Sequence, residues 1–183
     1  MLTDEACAEA IRTLKRRTDA DRELLAWRIS ASPVAWRDVA SENINDYVRA
    51  VVGEQMSAKD FRTWHGTALA ATGLARIAPA VELSATERTR TVASVMRAVS
   101  EVLGNTPAVA RASYVDPRVV DLWEDGFSIA PALREASDPN AALDDLRASY
   151  DAQRELCESA TLTLLTTSPL RVNAALKRVR GRR

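Results

Sequence analysis

Cysteine is nearly absent: of 183 residues only Cys7 and Cys157 carry a thiol. They lie far apart, in no spacing that suits a metal or a redox pair, and read as reduced thiols of a cytosolic protein. No apolar run approaches the roughly twenty residues that a membrane span requires. The opening Met1-Leu2-Thr3-Asp4-Glu5 is acidic, unlike the basic start of a signal peptide. With only six Gly and seven Pro against 46% apolar residues, the composition is globular rather than low-complexity. Histidine occurs once, at His65. An excess of one charge sign is also missing, with 25 basic and 25 acidic residues, yet the signs are segregated. Residues 59–118 hold eight basic and five acidic side chains, residues 119–170 three and ten, and residues 171–183 six and none.

What is abundant is Ala, Leu, Arg and Glu, the residues of helices. The length suits one domain with a real core, with room for an appendage. A first helix is expected over 4–17, with Ala6, Ala10, Ile11 and Leu14 as its apolar stripe. Residues 24–39 hold two tryptophans, β-branched residues and a Ser32-Pro33 break, which admits a short strand. Ser41 reads as the cap of a helix with Ile44, Val48, Val51 and Val52 on one face, ended by Gly53. Ser57 with Asp60 reads as a capping box for a helix over 59–73 that buries Phe61, Trp64, Ala68 and Thr72. Ser84 with Glu87 opens another, stopped by Gly104. Thr106-Pro107 and Asp116-Pro117 each read as a cap followed by proline in the first turn. Asp138-Pro139 then opens a long acidic helix with Leu143, Leu146, Tyr150, Cys157 and Leu164, and Ser168-Pro169 a basic one; the two are expected to pack together through opposite charge.

Two stretches carry chemistry. Lys59-Asp60-Phe61-Arg62-Thr63-Trp64-His65-Gly66-Thr67 sets Lys59, Arg62 and Gly66 along one helix edge, and Leu103-Gly104-Asn105-Thr106-Pro107 precedes a helix ending at Tyr114. An arginine that neutralises phosphate oxygens, a small hydrogen-bonding residue and a tyrosine are the parts needed to attack a phosphodiester with a phenolic oxygen. A phenol with its ordinary pKa of about 10 needs a base or cationic neighbours for that task. Each residue also has a plain reading: Arg62 and Lys59 as surface charges, Asn105 as a turn residue after a C-terminal glycine, Tyr114 as a half-buried aromatic with its hydroxyl out. Gly66, one turn after Arg62, would leave room for a phosphate. His65 falls toward the apolar side of its helix and reads as a packed residue, and the four tryptophans as core rather than base-stacking platforms.

Together the two motifs resemble the C-terminal catalytic region of type IB DNA topoisomerases, in the bacterial, poxvirus-like branch. Lys59-Asp60-Phe61-Arg62-Thr63 matches the helix bearing an active-site arginine, and Gly104-Asn105-Thr106-Pro107 with Tyr114 nine residues after Asn105 matches the segment bearing the nucleophile. The likeness reaches upstream through Trp36-Arg37-Asp38-Val39-Ala40-Ser41 and downstream through Val115-Asp116-Pro117-Arg118-Val119. The resemblance implies a mainly α fold, the helical catalytic domain shared with tyrosine recombinases, with residues 1–126 as catalytic domain and 127–183 as a helical extension. It implies Tyr114, Arg62 and Asn105 as catalytic residues, Lys59 and Arg111 as contacts to the phosphate backbone of duplex DNA, no cofactor or metal, and a cytoplasmic, nucleoid-associated protein away from membranes. Tyr114 would form a transient 3′-phosphotyrosyl link, and supercoils would relax without ATP.

The family's remaining arginine, and the lysine it carries in a β-hairpin, have no counterpart here, and nothing matches its N-terminal clamp domain. The expectation is a truncated, split or degenerate topoisomerase with little activity alone, possible partners including a separately encoded N-terminal fragment. DNA affinity rests largely on phosphate neutralisation, so the motif segment and the basic tail are the contact regions and binding should be weak. The alternatives are a tyrosine recombinase fragment, disfavoured because that family prefers His where Lys59 stands, and a non-catalytic DNA-binding or complementing module.

Overall fold

The fold is mainly α, and among the described residues helices dominate beside one two-stranded sheet. The computed structural model describes residues 4–17, 23–77, 79–133, 143 and 145–180. The chain forms two compact units, Met1–Ala58 and Lys59–Arg183.

In the first unit, helix α1 (Glu5–Lys15) is capped by Asp4, which accepts the Cys7 N–H at 2.9 Å. Strands β1 (Ala26–Ala31) and β2 (Val34–Asp38) make an antiparallel hairpin, with a cis Ser32-Pro33 bond between them. The sequence admitted one short strand here; pairing Trp27 with Arg37 and Arg28 with Trp36 makes it two. Arg17 joins the chain after α1 to the hairpin. Its buried guanidinium donates to Asp38 Oδ1 at 3.0 Å and to the Glu23 carbonyl at 3.1 Å, and lies over the Trp36 ring at 5.3 Å. The N-cap of helix α2 (Ser41–Val52) falls one residue before the expected Ser41: Ala40 is the N-cap, and its N–H donates to Asn43 Oδ1 at 2.9 Å. The apolar side of α2 is open, with Ile44, Val51 and Val52 exposed by 38%, 64% and 51%.

The second unit is built around α3 (Ala58–Ala75), whose residues 66–74 are all buried. The expected one-sided burial is therefore wrong, and Phe61 is exposed. A helix reads as amphipathic only while one side meets solvent; this one is enclosed by neighbours on several sides. Val95 and Leu103 of α4 (Ala85–Leu103) close over Gly73 and Gly66, where an added Cβ would come within 3.1 and 3.2 Å of their side chains, tighter than ordinary contact. Tyr150, in α7 (Leu146–Asp151 once α5, Pro107–Ser113, and α6, Arg118–Glu124, are counted), places its ring beside His65. Helix α4 opens with the expected capping box: Ser84 Oγ accepts the Glu87 N–H, and the Ser84 N–H donates to Glu87 Oε2 at 2.8 Å.

The acidic segment differs from expectation. Its start at Asp138 lies outside the described residues, and the rest is two helices, α7 and α8 (Arg154–Thr166), parted where the Gln153 N–H closes a tight turn on the Tyr150 carbonyl at 3.0 Å. Helix α9 (Pro169–Arg180) packs on α8, as expected, but the contact described is apolar where the expectation rested on opposite charge: Val172 and Leu176 enter the core that also takes Cys157, Ala160 and Leu164. Leu146 and Tyr150 share that core with Leu69 and Val99, so the C-terminal helices and the motif helices have one interior. No helix among the described residues is long and apolar enough to cross a membrane.

Candidate active site

The second motif is a junction between two helices. At the end of α4 the Asn105 N–H donates to the Ser100 carbonyl at 3.0 Å, and Gly104 takes the left-handed conformation (φ 66°) that this closure requires. Thr106 then caps α5 by accepting the Val109 N–H at 3.3 Å, with Pro107 in the first turn. Two turns later the helix ends at Tyr114, whose N–H donates to the Ala110 carbonyl at 3.0 Å. Ala110 and Val115 are buried on either side, so the tyrosine backbone is anchored while its side chain is half-buried.

Arg62 joins the two motifs. From the second turn of α3 its Nη2 donates to the Leu103 carbonyl, and its guanidinium stands over the Tyr114 ring at 5.0 Å. The arginine thus touches both ends of a segment more than forty residues away in the chain. Asn105 lies within that segment with both side-chain polar atoms, Oδ1 and Nδ2, buried and unpartnered. An unpartnered buried amide costs about 1–3 kcal/mol. Lys59 and Arg111, the expected phosphate contacts, are exposed, each three residues before Arg62 and Tyr114.

Gly66 has a different reason from the one its sequence suggests. A Cβ there would collide with the Tyr114 carbonyl oxygen and reach 3.2 Å from Leu103 Cδ1. The space beside Arg62 is filled by the tyrosine's own backbone. Next along the helix, the buried Thr67 hydroxyl accepts the Asp116 N–H at 3.0 Å and donates to the Thr63 carbonyl at 2.8 Å. His65 packs its ring 5.2 Å from that of Tyr150. Burial, with Arg154 adding to it, holds the imidazole below its usual pKa near 6.5 and favours the neutral form. Tyr150 donates to Glu158 Oε1 at 2.6 Å, and burial together with that bond raises its pKa well above the usual 10. His65 is therefore a packing residue, as its helical position suggests. Among the described residues no His, Cys, Asp and Glu side chains gather into a metal site.

A family model of the eukaryotic DNA topoisomerase I catalytic core matches residues 3–124. The chain belongs to the type IB DNA topoisomerases. No curated protein matches it. The matched span takes in the hairpin, both motifs and α6, whose last residue is Glu124. Membership in the topoisomerases makes DNA the substrate class. Thr67 escaped the sequence reading because its partner, Asp116, is fixed only by the fold.

Proposed function

We propose that the chain cleaves and religates one DNA strand so that the free 5′-hydroxyl end swivels and supercoils relax, with Tyr114 as nucleophile, Arg62 as the cation on the scissile phosphate and Asn105 as a hydrogen-bond donor to one of its oxygens. The observation that carries this reading is the Arg62 guanidinium, which meets the Tyr114 ring and the segment bearing the unpartnered Asn105 amide. The phenolic oxygen of Tyr114 bonds to phosphorus, the P–O bond to the 5′-oxygen breaks, and the phenolic proton is given up as the leaving oxygen gains one. Religation runs the same exchange backwards. Bond energy is kept in the tyrosyl phosphodiester, so no ATP is consumed. Arg62 neutralises charge on the non-bridging oxygens as it builds, and Asn105 Nδ2 adds a neutral donor.

The second arginine and the hairpin lysine of the family have no counterpart here; the β1–β2 hairpin carries Arg28 and Arg37 but no lysine. Loss of one charge-stabilising donor lowers a rate by about 10²–10³, and loss of a general acid by about 10²–10⁴. Relaxation by the chain alone is accordingly slow, and a partner fragment supplying those groups would raise it. The test is relaxation of supercoiled plasmid by purified chain, with and without an N-terminal fragment of a related enzyme. Activity that rises with the fragment and is abolished by Tyr114→Phe supports the proposal. Activity that survives Tyr114→Phe contradicts it.

A further inference from the structure

We infer that Thr67 is a positioning residue for the nucleophile: it fixes the Tyr114–Asp116 turn against α3 so that the tyrosine ring meets Arg62. The inference rests on the reading of Tyr114 as nucleophile and goes one step beyond it. Tyr114 closes α5, a helix of only seven residues. A helix that short has little rigidity of its own. Beyond the burial of Ala110 within α5, its registration against α3 comes from contacts made by the turn that follows. Two neighbouring residues of α3 supply them. Gly66 lets the Tyr114 carbonyl come within reach of the helix, where any side chain would hold it off. Thr67 then takes the Asp116 N–H at 3.0 Å on a hydroxyl whose own proton is committed to the Thr63 carbonyl at 2.8 Å. That commitment leaves the oxygen lone pairs facing Asp116, so the hydroxyl acts as an oriented acceptor. Its side chain is 2% exposed, so water does not compete for the bond.

The arrangement works as a ruler. Arg62 and Thr67 lie five residues apart on one helix, and Tyr114 and Asp116 two apart on the turn. Clamping Asp116 to Thr67 fixes where Tyr114 falls along α3, and this brings its ring under the guanidinium at 5.0 Å. Serine can make the same two hydrogen bonds. Valine fills the same volume and makes neither. A displacement of about 1 Å in a reacting group lowers a rate by about 10²-fold, and that is the size of effect expected.

Two measurements test this on the full chain. The first uses DNA duplexes of varied sequence carrying sulfur in place of the bridging 5′-oxygen. Tyr114 oxygen bonds to phosphorus, the P–S bond breaks, and sulfur leaves as a thiolate that needs no proton donor, while the phenolic proton goes to solvent. Thr67→Val should lower the rate of covalent adduct formation at saturating DNA by about 10²-fold with half-saturation unchanged, and Thr67→Ser should restore it. The second is independent of activity: the Arg62 Nε–H resonance, shifted by the Tyr114 ring, should move in Thr67→Val toward its position in Tyr114→Leu, and stay in place in Thr67→Ser. Full adduct rate together with an unmoved Arg62 resonance in Thr67→Val overturns the inference while leaving Tyr114 as nucleophile. An inert wild-type chain defeats the nucleophile reading, and the resonance still decides whether Thr67 positions the ring. Should Thr67→Val not fold, Thr67→Ala removes the hydroxyl without bulk. Failure of both to fold would show a structural role and overturn the inference.

Discussion

Gly66→Ala against Gly73→Ala isolates the close approach on which the site depends. Both glycines are buried in α3, and each alanine gains up to about 1 kcal/mol of helix propensity. They differ only in what the new methyl meets. At Gly73 it reaches Val95 Cγ1 at 3.1 Å and Leu143 Cδ2 at 3.4 Å, side-chain methyls that can yield by a few tenths of an ångström. At Gly66 it meets the carbonyl oxygen of Tyr114, a backbone atom anchored by the Asp116–Thr67 bond, with Leu103 Cδ1 at 3.2 Å. Overpacking costs about 1–3 kcal/mol, and against a fixed backbone atom the upper part of that range, about 2–3 kcal/mol, applies and exceeds the propensity gain. Gly66→Ala should therefore lose about 1–2 kcal/mol, and Gly73→Ala should stay within about 0.5 kcal/mol of the parent. At about 2–4 °C per kcal/mol for a chain of this length, the first variant melts roughly 2–8 °C lower. Scanning calorimetry on the two variants, side by side with the parent, reads the difference. A Gly66→Ala protein that melts at or above the parent, or a larger loss at Gly73, would refute the close approach of α3 to the tyrosine backbone.

Arg62→Ala should lower DNA strand cleavage by about 10²–10³-fold while changing stability by only about 0.5–1 kcal/mol, checked by adduct formation and thermal melting on the same preparation. Stability should fall as pH drops below about 6.5: the neutral His65 is favoured in the folded state, so the unfolded chain binds more protons there. His65→Gln should flatten that limb of the urea-midpoint profile, and the imidazole, the only one in the chain, can be titrated directly by NMR. Above pH 10 the sign comes from Tyr150: its folded pKa is raised, so the folded state keeps a proton the unfolded state loses, and stability declines as pH rises. Tyr150→Phe should remove that alkaline decline while losing the Glu158 hydrogen bond, worth about 1.5–3 kcal/mol with a charged acceptor. Arg17→Ala should loosen the hairpin by about 1–3 kcal/mol, since it removes the Asp38 and Glu23 bonds at once; hydrogen exchange in β2 reads it.

The features legible in the sequence are those that local chemistry decides. Gly104, Thr106 and Pro107 announce the helix stop, cap and first turn that the structure contains, because a left-handed glycine and an N-cap depend on neighbours three or four residues away. Ser84 and Glu87 are legible for the same reason. That Arg62 and Tyr114 belong together was legible only through the family resemblance, since no local rule joins residues in separate helices. Gly66 was assigned to the wrong neighbour: a glycine advertises a close approach without naming what approaches. Phe61 and the apolar side of α2 were misjudged or left open because periodicity reports which residues share a face, and says nothing of whether that face is covered. Tyr150 was expected to be buried on an acidic helix; its bond to Glu158 and its ring contact with His65 depend on how α7 and α8 fold back beside α3.

Covalent attachment of Tyr114 to DNA can be read directly by peptide mapping. Purified chain is incubated with the sulfur-bridged duplexes, denatured and digested with protease and nuclease, and the residual nucleotide is located by mass spectrometry. A 3′-phosphonucleotide is expected on Tyr114, absent in Tyr114→Phe and reduced by about 10²-fold or more in Arg62→Ala. A nucleotide attached to any other residue, or an adduct undiminished in Tyr114→Phe, would contradict Tyr114 as nucleophile.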